Sequence, residues 1–88
     1  MLSIILTKLR LLRLERNYSQ EYIASKLNIS QSYYAKIESG KKELSVRSLF
    51  EILEILQMDS LDFHVNTKEY YEKLLEKKEI ITSNTSYE

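Results

Sequence analysis

The side chains of this chain that can do chemistry are mainly amides, hydroxyls and lysine ammonium groups, and they concentrate between residues 19 and 42. Such groups form hydrogen bonds and bind anions. Groups for metal binding or catalysis are scarce, since the chain has no Cys and a single His, His64. It also shows no carboxylate–His constellation, Gly-rich loop or nucleophile–base pair. We therefore predict that the protein is not an enzyme and holds no metal and no cofactor.

The charge is distributed unevenly along the chain, although 13 bases and 13 acids give a net charge of zero. Residues 1–50 hold nine Lys and Arg residues against four acids, which is a charge of +5. Residues 51–88 hold four bases against nine acids, which is −5. This asymmetry is typical of a protein with one basic docking face. The alternative is a chance scatter of charges over a solvated surface.

The length of 88 residues is enough for one domain with a core. The first six residues are mostly apolar, but Lys8, Arg10 and Arg13 interrupt this run far short of the ~20 residues that a membrane span needs. The N-terminal charge and small-residue cleavage site of a signal peptide are also absent. We expect the start of a helix in a cytoplasmic protein with no membrane partner.

Apolar residues recur at helical spacing nearly throughout, and the chain contains no Pro and one Gly, Gly40. This pattern predicts an all-α fold of five short helices, the first of which runs to about residue 16. The third is predicted from Gln31 to about Glu38, so that it ends before Gly40. The residues placed to cap the second, third and fourth helices are Ser19, Ser30 and Ser45.

Three further residues mark where helices begin or end. Asn17 and Asn28 follow the first two helices, at positions that favour a residue able to adopt positive φ. Asn66 and Glu69 resemble a capping box, which predicts that the fifth helix begins at Asn66. We accordingly divide the chain into a domain over residues 1–65, a C-terminal helix over 66–81 and a flexible tail over 82–88.

Three short stretches carry a resemblance to a known family. They read Ser-Gln-Glu-Tyr-Ile-Ala at 19–24, Leu-Asn-Ile-Ser-Gln-Ser at 27–32 and Ile-Glu-Ser-Gly-Lys at 37–41. Their residue types and separations resemble the Cro/C1-type (XRE) helix-turn-helix family, from about Leu9 to Met58. The resemblance implies a lambda-repressor-like DNA-binding domain, here with a C-terminal helical extension, in a bacterial or phage-encoded regulator. Asn17 and Asn28 replace the usual Gly, and Leu44 replaces a frequent Pro.

The resemblance also implies site residues, because in similar proteins the third helix enters the major groove of double-stranded DNA. The implied base readers are Gln31, Ser32, Tyr33 and Lys36, and Gln suits adenine whereas Lys suits guanine. The implied contacts to the DNA backbone are Gln20, Ser30, Lys41, Lys42 and, more weakly, Arg47. Arg13 and Glu38 resemble the pair that ties the first helix to the end of the third. The alternative for Lys41 and Lys42 is an ordinary solubilising role.

The first helix carries a second apolar stripe, made of Ile4, Leu11 and Leu14. A small monomer would not leave such a stripe uncovered. The face of the fifth helix that would cover it, or form a dimer interface, consists of Tyr70, Tyr71, Leu74 and Leu75. Palindromic operators require two-fold proteins, so we predict a homodimer formed through the C-terminal third. The alternative is that the fifth helix only folds back onto the first helix of its own chain.

Two classes of function fit these features. The first is a sequence-specific transcriptional regulator, which includes a phage-type repressor, an antitoxin and a controller protein of a restriction–modification system. The second is a protein-interaction module on a helix-turn-helix scaffold, whose acidic C-terminal third binds a partner protein such as a toxin. Lys36, Lys41 and Lys42 beside Gln31 favour DNA, because a scaffold that binds a protein partner has no need of a basic rim.

Overall fold

A computed structural model describes the backbone of residues 2–86 and the side chains of residues 2–77. This part of the chain contains five helices and no strand, which confirms the predicted all-α class. None of its helices combines the length and the apolar character required to cross a bilayer. The helices are α1 (Leu2–Glu15), α2 (Gln20–Leu27), α3 (Gln31–Glu38), α4 (Val46–Ile55) and α5 (Ser60–Ser86).

Helices α2, α3 and α4 begin in the same way. At each start the side-chain oxygen of a serine accepts a hydrogen bond from the backbone N–H three residues further on, at 3.0–3.1 Å. The three serines have extended backbone angles, as N-cap residues do. This confirms the predicted caps, which are Ser19, Ser30 and Ser45.

Left-handed residues end the helices. Asn17 and Asn28 both have φ of 59°, which confirms the prediction for these positions. Gly40 has φ of 83° and follows α3. Gln57, with φ of 56°, makes the same kind of turn after α4, and nothing in its residue type pointed to it. Asparagine tolerates this conformation better than other side chains because its short amide bonds locally.

The core lies where α1, α2 and α4 meet. Tyr34, from α3, is buried within it. Ala24, on α2, is 1 % exposed, so a larger side chain there would have to displace its neighbours in this close-packed core. The buried cluster consists of Leu9, Leu12, Ile23, Ala24, Tyr34, Ile52, Leu53, Leu56 and Phe63.

The predicted start of the fifth helix at Asn66 is wrong, since α5 begins at Ser60. The Asp59 carboxylate accepts hydrogen bonds from the backbone N–H groups of Leu61 and Asp62, and Phe63 joins the core one turn later. Capping and burial together therefore set the earlier start. The predicted boundary between residues 65 and 66 falls inside α5, which also includes residues 82–86 of the predicted tail. Residues 87 and 88 lie outside the described part.

The length of α5 gives the molecule its shape. A helix of 27 residues is about 40 Å long at 1.5 Å per residue. The molecule measures 54 Å along its longest axis and only 25 and 23 Å across. The C-terminal end of α5 therefore extends beyond the body that the other helices form.

Candidate nucleic-acid interface

Helix α3 has one buried side and one exposed side. Tyr34 and Ile37 point into the protein, because residues three apart lie on the same face of a helix. The four side chains proposed as base readers are all exposed, so an amide, a hydroxyl, a phenol and an ammonium group are accessible along the helix. They are Gln31, Ser32, Tyr33 and Lys36. The first three open the helix, and Lys36 lies one turn further on.

The amide of Gln31 is held in place by a second amide. Its Nε2 donates a hydrogen bond to Oε1 of Gln20, at the start of α2, over 2.9 Å. The Nε2 of Gln20 in turn donates to Oε1 of Glu38 over 3.3 Å. One N–H and the Oε1 of Gln31 have no partner among the described residues. A free donor beside a free acceptor matches N7 and the N6 amino group of adenine in the major groove.

Glu38 is anchored from the opposite side by Arg13 of α1. The guanidinium bonds both carboxylate oxygens, from Nε over 2.9 Å and from the terminal nitrogen Nη2 over 2.8 Å. Its remaining terminal nitrogen donates to the carbonyl of Tyr18 over 2.9 Å. The side chains are 10 % and 4 % exposed, respectively. The pair therefore joins the helix that precedes the motif to the last residue of α3, and it fixes the carboxylate to which Gln20 bonds.

The pKa values in this cluster reflect burial and hydrogen bonding. Burial raises the pKa of Glu38, but the hydrogen bond from Arg13, with Tyr34 and Gln20 nearby, outweighs burial, so the pKa lies below its ordinary value. The hydrogen bond to Glu38 raises the pKa of Arg13. Burial and the neighbouring Glu38 charge raise the pKa of Tyr34. Glu38 is therefore ionised at neutral pH, as an acceptor for both Arg13 and Gln20 must be.

The residues expected to contact the DNA backbone lie in three places. Ser30 caps α3 through its side-chain oxygen, and its hydroxyl hydrogen remains free to be donated to a phosphate. Lys41 and Lys42 lie past the other end of α3, where their backbone N–H groups bond the carbonyl of Lys36 and their side chains are exposed. Arg47, on α4, is exposed and forms a surface ion pair with Glu51 over 3.1 Å.

The bond between Gln20 and Gln31 was not predicted from the sequence, which assigned Gln20 to phosphate alone. The only signal was the presence of two glutamines eleven residues apart, one at the start of each helix of the motif. Among the described residues, no group of His, Asp or Glu side chains is arranged to hold a metal ion.

The four residues proposed for a dimer interface lie on two sides of α5. Tyr70 is half-buried against α1, where the Lys8 ammonium lies 5.5 Å from its ring centre. Tyr71 and Leu75 instead line a groove beside α4, and Leu74 is partly exposed. Helix α5 therefore does fold back onto α1. The apolar stripe of α1 nevertheless stays partly uncovered, with Leu11 at 42 % and Leu14 at 52 % exposure.

Comparison with known proteins gives one match. Residues 9–63 match a family model described as helix-turn-helix, which is more than half of the chain. No curated protein and no solved structure matches the chain. The matched range begins at Leu9 of α1 and ends at Phe63, the residue with which α5 joins the core.

Proposed function

Because the chain belongs to the Cro/C1-type (XRE) helix-turn-helix family of DNA-binding regulators, with its lambda-repressor-like fold, we propose that it binds a palindromic operator as a homodimer. Domains of this family are regulatory and typically not enzymatic. We place the protein in the cytoplasm of a bacterium or of a phage-infected cell. The proposal covers a phage-type repressor, an antitoxin and a controller protein alike, since each would read DNA in the same way.

The observation that carries the sequence-specific part of this proposal is the hydrogen bond between Gln20 and the exposed Gln31. An amide that merely solubilises a surface has no need of a fixed orientation. Gln31 is oriented by Gln20, which is itself tied to the buried Glu38. A preorganised amide loses less conformational entropy when it meets a base, and its free donor and acceptor suit adenine. We assign Ser32, Tyr33 and Lys36 to the neighbouring base pairs.

The remaining proposed contacts hold the DNA without reading it. The free N–H groups at the starts of α2 and α3 and the Ser30 hydroxyl are suited to one stretch of phosphates. Lys41 and Lys42 lie at the far end of α3, so they would reach phosphates on the other side of the base contacts. Arg47 contributes less in this scheme, because Glu51 competes with phosphate for its guanidinium.

A two-fold arrangement follows from the size of the reading helix. Helix α3 has eight residues, and its N-terminal turns cover only a few base pairs. Two copies related by a two-fold axis would read a palindrome with its half-sites about one helical turn apart. We propose that the C-terminal third of the chain brings the two copies together.

The test is selection of bound sequences from a random DNA pool, followed by affinity measurements at several salt concentrations. We expect an enriched motif of two inverted half-sites. With phosphates neutralised by the three or four cationic side chains assigned to DNA, log affinity should fall against log salt with a slope of about −3 per protomer. An unenriched pool together with an affinity that does not change with salt would contradict the proposal.

A further inference from the structure

A small polar cleft lies between α1 and the end of α3. Its volume is about 210 Å³, and five of its six lining residues carry a hydroxyl or a charge. None of the side chains assigned above to bases or phosphates is among them, so those assignments leave the polar character of the cleft unexplained. The lining residues are Ser3, Leu6, Thr7, Arg10, Glu38 and Ser39.

Arg10 is the one cation among these lining residues. Residues three or four apart lie above one another on a helix, so Thr7, Arg10 and Arg13 share one face of α1. Arg13 is buried and bonds Glu38, whereas Arg10, one turn nearer the start of α1, is exposed. Arg10 forms no ion pair within the described part of the chain. Its charge is therefore available to an anion from outside the chain.

The acid in the cleft, Glu38, does not fill the place of such an anion. Arg13 donates to both of its carboxylate oxygens, over 2.9 and 2.8 Å, and Gln20 donates to one of them over 3.3 Å. The Glu38 side chain is only 4 % exposed. Because the charge of Arg13 offsets that of Glu38, the pair adds little net charge, and Arg10 sets the sign of the potential in the cleft.

Both walls of the cleft adjoin the surface that is proposed to contact DNA. On the α3 wall, Glu38 accepts the hydrogen bond of Gln20, which in turn orients Gln31. On the α1 wall, Leu6 lies against the turn that follows α3, since a Cβ added to Gly40 would be 3.5 Å from the Cδ1 atom of Leu6. The two exposed lysines assigned to the DNA backbone follow in the same turn. A duplex docked on α3 would therefore bring its backbone close to the cleft.

We infer that this cleft receives a phosphate of the DNA backbone, with Arg10 as its cation, an inference that rests on the proposed function and adds a contact to it. A guanidinium offers paired N–H donors that match two phosphate oxygens. The hydroxyls of Thr7 and Ser39 already donate to backbone carbonyls, so the Ser3 hydroxyl is the second donor that the cleft can offer. The DNA contact then extends beyond the helix-turn-helix to α1.

The first experiment measures how affinity depends on salt for the wild type and for Arg10→Gln, with the selected operator and with a random duplex. The variant loses the charge but keeps an exposed polar side chain, so thermal unfolding should not change. We expect binding to weaken by about tenfold at low salt, as the loss of a charged hydrogen bond implies, and the salt slope to fall by about one unit. Both duplexes should be affected alike, because every sequence has the same phosphates. Unchanged affinity and slope would overturn the inference.

Lys8→Gln is the matched control, because it removes one positive charge from a different side of the same helix. The Lys8 ammonium lies 5.5 Å from the ring centre of Tyr70, on α5, and Lys8 does not line the cleft. This control should keep the affinity and the slope of the wild type. Arg10→Lys should keep the slope but only part of the affinity, because an ammonium lacks the paired donors of a guanidinium. Equal losses for Lys8→Gln and Arg10→Gln would overturn the inference, since net charge alone would explain them.

The second experiment identifies the phosphate itself. Operator duplexes are prepared in which one backbone phosphate at a time is replaced by a neutral methylphosphonate. Wild-type affinity should fall by about tenfold at the phosphate that Arg10 contacts. Arg10→Gln should lose nothing further at that position, although it should remain sensitive at the phosphates assigned to Lys41 and Lys42. The inference is overturned if each replacement weakens the wild type and Arg10→Gln by the same factor.

The behaviour of the wild type separates this inference from the proposed function. A wild type that binds the operator no more tightly than Arg10→Gln, with the same salt slope, overturns the inference and leaves the proposed function standing. A wild type that binds neither duplex overturns both. A loss confined to the operator would also overturn the inference, because Arg10 would then read a base instead of holding a phosphate.

Discussion

Replacing Gln31 by alanine should separate the reading of bases from the holding of phosphates. The side chain is exposed at the first position of α3, so its loss should change the free energy of unfolding by less than about 0.5 kcal/mol. It offers one free N–H and one free oxygen to a base, which together contribute about 1–3 kcal/mol of discrimination. The preference for operator over random DNA should therefore fall by about 5- to 150-fold.

Lys41→Ala is the matched control, because Lys41 is also exposed but lies beyond the end of α3. This variant should weaken operator and random DNA by similar factors and reduce the salt slope by about one unit. Gln20→Ala should affect both properties, since Gln20 is assigned to a phosphate and also orients Gln31. Its effect on discrimination should be smaller than that of Gln31→Ala, because the Gln31 amide itself remains.

The assay is competition binding with labelled operator against unlabelled operator and scrambled duplexes, for each variant at two salt concentrations. The reasoning is refuted if Gln31→Ala leaves the ratio of specific to random affinity unchanged. Specificity would then lie with Tyr33 and Lys36, and the bond between the two glutamines would have only a structural role.

Three further predictions concern stability, and urea denaturation measures each of them. Arg13→Ala removes the cation that balances the buried Glu38 carboxylate and should destabilise the fold by about 3 kcal/mol, so a loss below about 1 kcal/mol would contradict the structural role of the pair. Because the pKa of Glu38 is lowered, its contribution is present above the ordinary value of 4.5 and should be lost as the pH falls below it, and Glu38→Gln should flatten this acid limb. Gly40→Ala should lower the free energy of unfolding by about 1–2 kcal/mol, because Gly40 has a φ of 83°, and Gly40→Asn should lower it by less. An added Cβ would lie 3.5 Å from its nearest neighbour, on Leu6, which is an ordinary contact distance. Equal losses for the two variants would therefore contradict the conformational explanation.

Most of the fold could be predicted from the sequence because its signals are local. A serine that caps a helix bonds a backbone N–H only three residues further on, and an asparagine that ends a helix does so through its own backbone conformation. The predicted bounds of α3 agree with the structure for the same reason, since Ser30 and Gly40 flank it closely. The prediction of where α5 begins was wrong because Asn66 and Glu69 have the residue types and spacing of a capping box. The residue that does cap the helix, Asp59, was not recognised in the sequence.

The parts of the site that could not be predicted depend on contacts distant in sequence. Gln20 and Gln31 meet only because α2 and α3 cross, and Glu38 joins them only because Arg13 reaches over from α1. No spacing rule along one helix encodes these distances. The groove beside α4 was missed for a similar reason: Phe50 lies on α4 and Leu61 on α5, and only their packing creates the depression between them.

The two-sided character of α3 has a consequence for how such a protein diversifies in evolution. Its buried side, with Tyr34 and Ile37, tolerates little change, since a truncation there costs several kcal/mol. Its exposed side carries Gln31, Tyr33 and Lys36, where most substitutions leave stability nearly untouched. Gene duplicates can therefore acquire new operators through a few surface mutations in one helix, without a compensating change in the core.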